Sequence, residues 1–213
     1  MDVTDHDRAL IASAFAQVAE RGWWNLNLAD AARAADVPLD VARRRVPTRC
    51  ALLLRFGALA DAHALQGAST IGLPRDRLFD VLMRRFDILQ NHRAGVVRLL
   101  RALPTDPAAM LLLATANLAS MQWMLGGTGI SATGPLGVLR AKALLAVWLW
   151  TLHAWERDTT DDLSPTMAAL DQALARAETA ESWLRPRGKP AAEPATGASP
   201  SLPPPSEGAS DAE

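Results

Sequence analysis

Apolar residues recur along most of the chain at three- and four-residue steps, the spacing that gathers them on one side of an α-helix. In "RDRLFDVLMRRFDILQ", residues 75–90, Leu78, Val81, Leu82, Phe86 and Leu89 share a face, while Arg77, Arg84 and Asp87 lie off it. Pro74 stands where a helix opens. "HRAGVVRLLRALP" and "DPAAMLLLATANLASMQWML" predict two more helices, closed by Pro104 and by Gly126, Gly127 and Gly129. "GPLGVLRAKALLAVWLWTLHAWERD" is apolar on nearly all sides from Ala143 to Leu152, which predicts a helix at the centre of a bundle. A last helix, from about Pro165 to Leu184, aligns Met167, Leu170, Leu174, Ala177 and Leu184 in a stripe that needs a partner surface. The β-branched residues never gather into an alternating run, so the pattern predicts an all-α fold.

Two of these helices are apolar enough to raise the question of a membrane. A span needs roughly 20 apolar residues, and Asn117, Ser120 and Gln122 interrupt the first while His153 and Glu156 close the second. Core helices are the expectation. The end of the chain differs in kind: from Arg185 onward "RPRGKPAAEPATGASPSLPPPSEGASDAE" holds seven prolines, no aromatic residue and one leucine. Such a segment buries too little to offset its ordering entropy and predicts a disordered tail. Three regions are expected: residues 1–50, residues 51–184 and the Pro-rich tail 185–213.

Charge and candidate chemistry narrow the function. With 22 basic and 23 acidic residues the net charge is −1, so any field attracting nucleic acid must be local. Cys50 is the single cysteine, which excludes an internal disulfide, and "MDVTDHDRAL" has neither the basic start nor the apolar run of a signal peptide. A cytoplasmic location is expected. His6, His63, His92 and His153 fall on different segments, and no Gly-rich loop follows a strand. "ERDTTDD", residues 156–162, lacks the oxygen spacing and glycine turn of a hard-cation loop and reads as an acidic cap for the last helix. No catalysis, cofactor or metal is expected.

Residues 28–49, "LADAARAADVPLDVARRRVPTR", meet the physical demands of a helix-turn-helix. Ala32 is small where the second helix crosses closely. Asp36 stands where the turn asks for positive φ, a region aspartate tolerates. Val37 plugs the small core, Pro38 pre-sets the backbone, and Asp40 suits the positive end of the second helix. That helix, Leu39 to Val46, points Leu39, Ala42 and Val46 inward by its spacing and leaves Asp40, Arg43 and Arg44 outward, with Arg45 nearer a flank. Between positions 33 and 55 stand Arg33, Arg43, Arg44, Arg45, Arg49 and Arg55 against Asp36 and Asp40, a local charge of +4. Phosphate binding needs such a field.

The stretch "ALIASAFAQVAERGWWNLNLADAARAADVPLDVARRRVPTRCALLLRF" resembles the TetR class of bacterial repressors: a helix ending in Glu-Arg-Gly-Trp, the helix-turn-helix, then a Pro-Thr-Arg junction into a long fourth helix. The likeness covers roughly residues 8 to 66. It implies a DNA-binding regulator whose larger helical domain dimerises and holds an inducer. The sequence departs from the class at Asp36, where glycine is usual, at Pro38 for serine, at Arg43 for an aromatic residue and at Arg49 for lysine. Arg43 and Arg49 can still hold phosphates, whereas Asp36 and Asp40 repel them. On this resemblance Arg43, Arg44 and Arg49 would position duplex DNA, a palindrome matched by a homodimer, with Arg33 and Arg45 as outer supports. Pro38, Leu39 and Asp40 would approach base edges.

A second resemblance covers roughly residues 75 to 178. "RDRLFDVLMRRFDILQNHR", "RAKALLAVWLWTLHAW" and "TTDDLSPTMAALDQALARAE" look like the ubiquinone-biosynthesis accessory proteins, a lipid-binding group with a TetR-like fold. It implies an alternative: a lipid-binding accessory protein, without DNA binding and in peripheral contact with a membrane. For either function, Met121, Trp123, Met124 and Trp148 on the two most apolar helices are candidates to line a pocket for a small apolar or lipid effector.

Overall fold

The computed structural model describes residues 3–184, with side chains from 5 to 179; the expected tail lies outside the described residues. Among those residues the chain is all helical, with no strand. The helices are α1 (Val3–Arg21), α2 (Leu28–Ala34), α3 (Leu39–Arg45), α4 (Arg49–Gln66), α5 (Pro74–Asn91), α6 (Arg93–Ala102), α7 (Pro107–Gly127), α8 (Gly134–Arg157) and α9 (Ser164–Leu184). Short 3-10 turns at Trp23–Asn25 and Leu103–Thr105 join them in two places.

Local chemistry sets many of the boundaries. Asn27 accepts from the amides of Ala29 and Asp30 to cap α2, Thr48 accepts from Ala51 to cap α4, and Asp106 accepts from Ala109 to cap α7. Pro74, Pro107 and Pro135 sit in the first turns of α5, α7 and α8, where a missing N–H costs nothing. The acidic stretch caps α9 as its sequence suggests: the Asp158 carboxylate accepts from the amide and hydroxyl of both Thr160 and Thr166. Burial pushes the Asp158 carboxyl up, but those four donors outweigh it and hold the group below its usual value.

α1 packs on α2 and α6, α4 on α5 and α7, and α8 on α7 and α9, while α9 also meets α5. On α5 the expected stripe is buried at Val81, Leu82, Phe86 and Leu89. Arg85, on the same helix, is buried with them, which the stripe does not foresee. Its Nε lies 2.9 Å from Asp61 Oδ1 on α4 and its guanidinium lies 4.5 Å from the Trp148 ring on α8. A buried charge persists only when paired, so Asp61 and Trp148 fix the meeting of three helices.

The position of α8 corrects an expectation. Ala141, Leu144, Val147, Trp148, Thr151 and Trp155 are buried, but Val138, Ala146, Leu149 and Trp150 face outward, so α8 is not surrounded by the bundle. Both α7 and α8 are long and apolar enough to cross a membrane by length and composition. In this fold each gives one side to the core and leaves an apolar side uncovered. On α9, by contrast, Leu170, Ala173 and Leu174 are buried within the protomer, so the expected stripe already has its partner in α8 and α5.

Candidate nucleic-acid interface

The turn between α2 and α3 is built as its residues demand. Asp36 adopts φ 54°, the left-handed region. The amide of Val37 donates to Ala32 O and that of Asp36 to Arg33 O, the paired bonds of a Schellman ending. Val37 then buries its side chain beside Ala31 and Ala32, and Pro38 at φ −53° starts α3. Ala42 and Val46 are buried. Leu39 is not: 46% of it is exposed, so the inward stripe runs through Val41, Ala42 and Val46, and Leu39 joins the outer face.

That outer face presents Pro38, Leu39, Asp40, Arg43 and Arg44 together. Two of the other candidates are held back. Arg45, a partly buried residue, donates to Asp7 of α1, and Arg55 takes the second oxygen of the same carboxylate. Arg49 lies over the indoles of Trp23 and Trp24, at 5.5 and 5.1 Å from their centroids, and donates to Trp23 O. Arg33 is exposed but pairs with Asp30 at 2.7 Å, and Arg44 pairs with Asp40 at 2.8 Å. Arg43 turns to the Pro47 carbonyl. The local excess of arginine is therefore offset by Asp7 and Asp30, from α1 and α2, in addition to Asp36 and Asp40.

The tryptophans tie this unit to the rest of the molecule. Trp23 Nε1 donates to Asp106 and Trp24 Nε1 to Thr105, both just before α7. The Trp23 hydrogen bond, the Ala109 amide and the nearby Arg49 charge hold the Asp106 carboxyl below its usual range. Asp106 thus caps α7 and grips the recognition unit at once. Neither the Trp23-Trp24 doublet nor the Asp106-Pro107 helix start reveals this in the sequence, since the partners are 83 residues apart.

The effector candidates lie elsewhere than expected. Met121, Met124 and Trp148 fill the core, and Trp123 is 71% exposed beside a shallow surface recess. The larger cavity, about 710 Å3, is formed by the start of α5, the end of α7 and its following loop, the first half of α8 and the later part of α9. None of the four candidates lines it. The apolar pattern marked these helices as rich in large side chains, but packing decided which were free of neighbours.

The fold matches a crystal structure of a TetR transcriptional regulator from Nitrosomonas europaea ATCC 19718 with a TM-score of 0.65 and 19% identity, over 81% of this chain and 98% of that one. A crystal structure of a TetR-family regulator from Streptomyces coelicolor A3 aligns at a TM-score of 0.41 and 16% identity, over 81% of this chain and 96% of that one. No protein-family model and no curated protein matches the sequence. With the first of these structures the architecture is defined: the chain has the TetR fold, a three-helix helix-turn-helix unit followed by a helical body. The match to the Nitrosomonas europaea structure gives no support to the ubiquinone-biosynthesis expectation.

Proposed function

We propose that the protein is a transcriptional regulator of TetR type that binds duplex DNA through α3 as a homodimer and responds to an effector held in its helical body. It is a binding protein of the cytoplasm rather than an enzyme. The observation that carries the reading is the outer face of α3. A left-handed turn with both Schellman bonds delivers a helix whose exposed side chains are Pro38, Leu39, Asp40, Arg43 and Arg44. Arg43 and Arg44 supply phosphate contacts, and Leu39 offers an apolar contact of the kind that meets a thymine methyl. Arg33 supports them from α2. Arg45 and Arg49 act as struts that hold α3 and α4 against α1 and the tryptophans.

Dimerisation fits the uncovered side of α8. Val138, Ala146, Leu149 and Trp150 form a mostly apolar surface, interrupted by the exposed Lys142 and His153, on a helix that a second copy would cover by a two-fold axis. The division at residue 50 belongs to the same reading: α1 to α3 recognise DNA, and the helices from α4 onward assemble and sense.

The experiment is duplex binding by fluorescence anisotropy across a salt series. Wild-type affinity should fall as salt rises, with a slope of roughly 0.9 per neutralised phosphate. Arg43→Ala with Arg44→Ala should weaken binding and flatten the slope while circular dichroism stays unchanged, since alanine is a better helix former than arginine. Binding that ignores both arginines defeats the interface; no salt-dependent binding at about 50 mM salt, where nonspecific contacts are strong, defeats the reading.

A further inference from the structure

We propose that the 710 Å3 cavity takes an amphiphilic anion, a carboxylate or phosphate head on an aliphatic body, with the head on Arg77. The inference deepens the regulator reading and rests on it for its regulatory meaning. Its chemistry rests on the walls. Leu78, Leu125, Leu136, Leu139, Leu144 and Leu174 supply an aliphatic lining, which binds a flexible hydrocarbon body through area removed from water. The charged residues of the lining are Arg75, Arg77 and Arg140, with Glu178 the one carboxylate among the described lining residues. Arg75 is committed to Asp171 of α9.

Arg77 differs from its neighbour. One of its terminal nitrogens donates to the carbonyl of Thr70, a neutral acceptor, and its Nε is buried with no hydrogen-bond partner. That nitrogen is sealed from the cavity, but no ion pair among the described residues engages the guanidinium, so its charge is left for an anion at the cavity wall to meet with a charge-assisted bond. Gly129, at φ 73°, carries no side chain where a Cβ would come 3.4 Å from that guanidinium, so the loop after α7 leaves room for Arg77 at the cavity wall. Arg140 donates to Ser131 O on the opposite side of the same loop.

The cavity lies at the end of the bundle away from α3. α5 begins there and ends at Gln90 and Asn91 beside Trp155 of α8, while Glu156 of α8 meets Arg101 of α6, which packs on α1. A ligand drawing the first turns of α5 and α8 together therefore acts on two helices whose far ends brace the DNA-binding unit.

The test titrates the full chain by calorimetry with laurate, dodecyl phosphate and 1-dodecanol, each kept below self-association. At least one anion should bind about tenfold more tightly than the alcohol, and the tighter of the two identifies the head as carboxylate or phosphate. Arg77→Gln should remove that preference and leave dodecanol binding unchanged. Leu139→Trp, which fills the cavity from a half-exposed wall position, should abolish binding of all three. Equal affinity for anions and alcohol, an anion preference that survives Arg77→Gln, or normal binding by Leu139→Trp overturns the proposal. Duplex binding of the same variants without ligand is measured alongside: its absence in wild type undoes the regulator reading, and the anion preference is judged by the calorimetry alone.

Discussion

At Asp36 a single side chain carries two opposed requirements. The turn needs a residue that accepts φ 54°, and aspartate does so at a lower cost than most. Its carboxylate, however, stands beside the surface proposed to meet phosphates. The two roles separate by substitution. Asp36→Gly keeps the turn and removes the charge, so it should leave the thermal midpoint nearly unchanged and tighten nonspecific duplex binding roughly a few-fold. Asp36→Val places a β-branched residue in the left-handed region and should cost about 1–2 kcal/mol in chemical denaturation. A glycine variant that binds no better than wild type would show that charge at this turn does not govern binding. This geometry was legible in the sequence because a turn is written in adjacent residues. The fate of Arg45 was not, because its partner Asp7 lies 38 positions away and only the packing of α1 brings it near. The same holds for Arg49, whose place over the two tryptophans is set by packing that a local count of positive charge does not reveal.

Helix by helix, the periodic pattern located α5 to α9, while α4 was expected only from the family resemblance, and the pattern could not say which side of an apolar helix would be covered. α5 has a distinct polar face, so its buried residues followed from spacing; α7 and α8 do not, and there tertiary contacts decided that Met121 and Trp148 are core and Trp123 is surface. The joint between the recognition unit and the body is set by α1 against α6. Gly95 lets them meet: a Cβ there would lie 2.4 Å from the Phe15 carbonyl oxygen. Gly95→Ala should therefore force the helices apart, lowering stability by about 1–3 kcal/mol as an overpacked contact does, read as an earlier urea midpoint with an unchanged slope. Beside this contact His92 stacks on Phe15 and meets the edge of Phe56. Burial holds its imidazole below the ordinary histidine value of 6.5, so the folded chain prefers it neutral. The stabilising contribution is complete above about 6.5, and it is lost as pH falls through the folded value, because the unfolded chain then binds the additional proton. His92→Phe should abolish the first part of the acid-side decline in midpoint, whereas an unchanged profile would place that titration elsewhere.

For the molecule as a whole, the uncovered side of α8 is the surface on which the proposed dimer rests. α9 spends Leu170 and Leu174 inside its own protomer, so the middle of the stripe that the spacing offers as an interface is already used, while the side chain of Leu184 lies outside the described residues. On α8 the outer residues are uncovered: Leu149 is 52% and Trp150 57% exposed, and Arg176 of α9 lies 5.9 Å from the Trp150 ring, making an apolar centre with a charged border. Interfaces concentrate their energy in such aromatic and aliphatic centres and leave charge to the rim. If a two-fold axis through this surface pairs two copies of α3 on a duplex, each half brings arginines already partly engaged, with Arg44 tied to Asp40 and Arg45 to Asp7. Affinity then depends on joining the two halves, since the second contact becomes intramolecular. Leu149→Glu buries a carboxylate at the centre of the interface if the dimer forms and meets only water if it does not. Sedimentation should therefore show wild type as a dimer at micromolar concentration and Leu149→Glu as a monomer with unchanged helix content. Duplex affinity should fall by about tenfold or more with the loss of the second half-site. A variant that remains dimeric would move the interface off α8, to the uncovered side of α7 around Leu111 and Trp123. One that becomes monomeric and still binds duplex as wild type would separate assembly from DNA binding altogether.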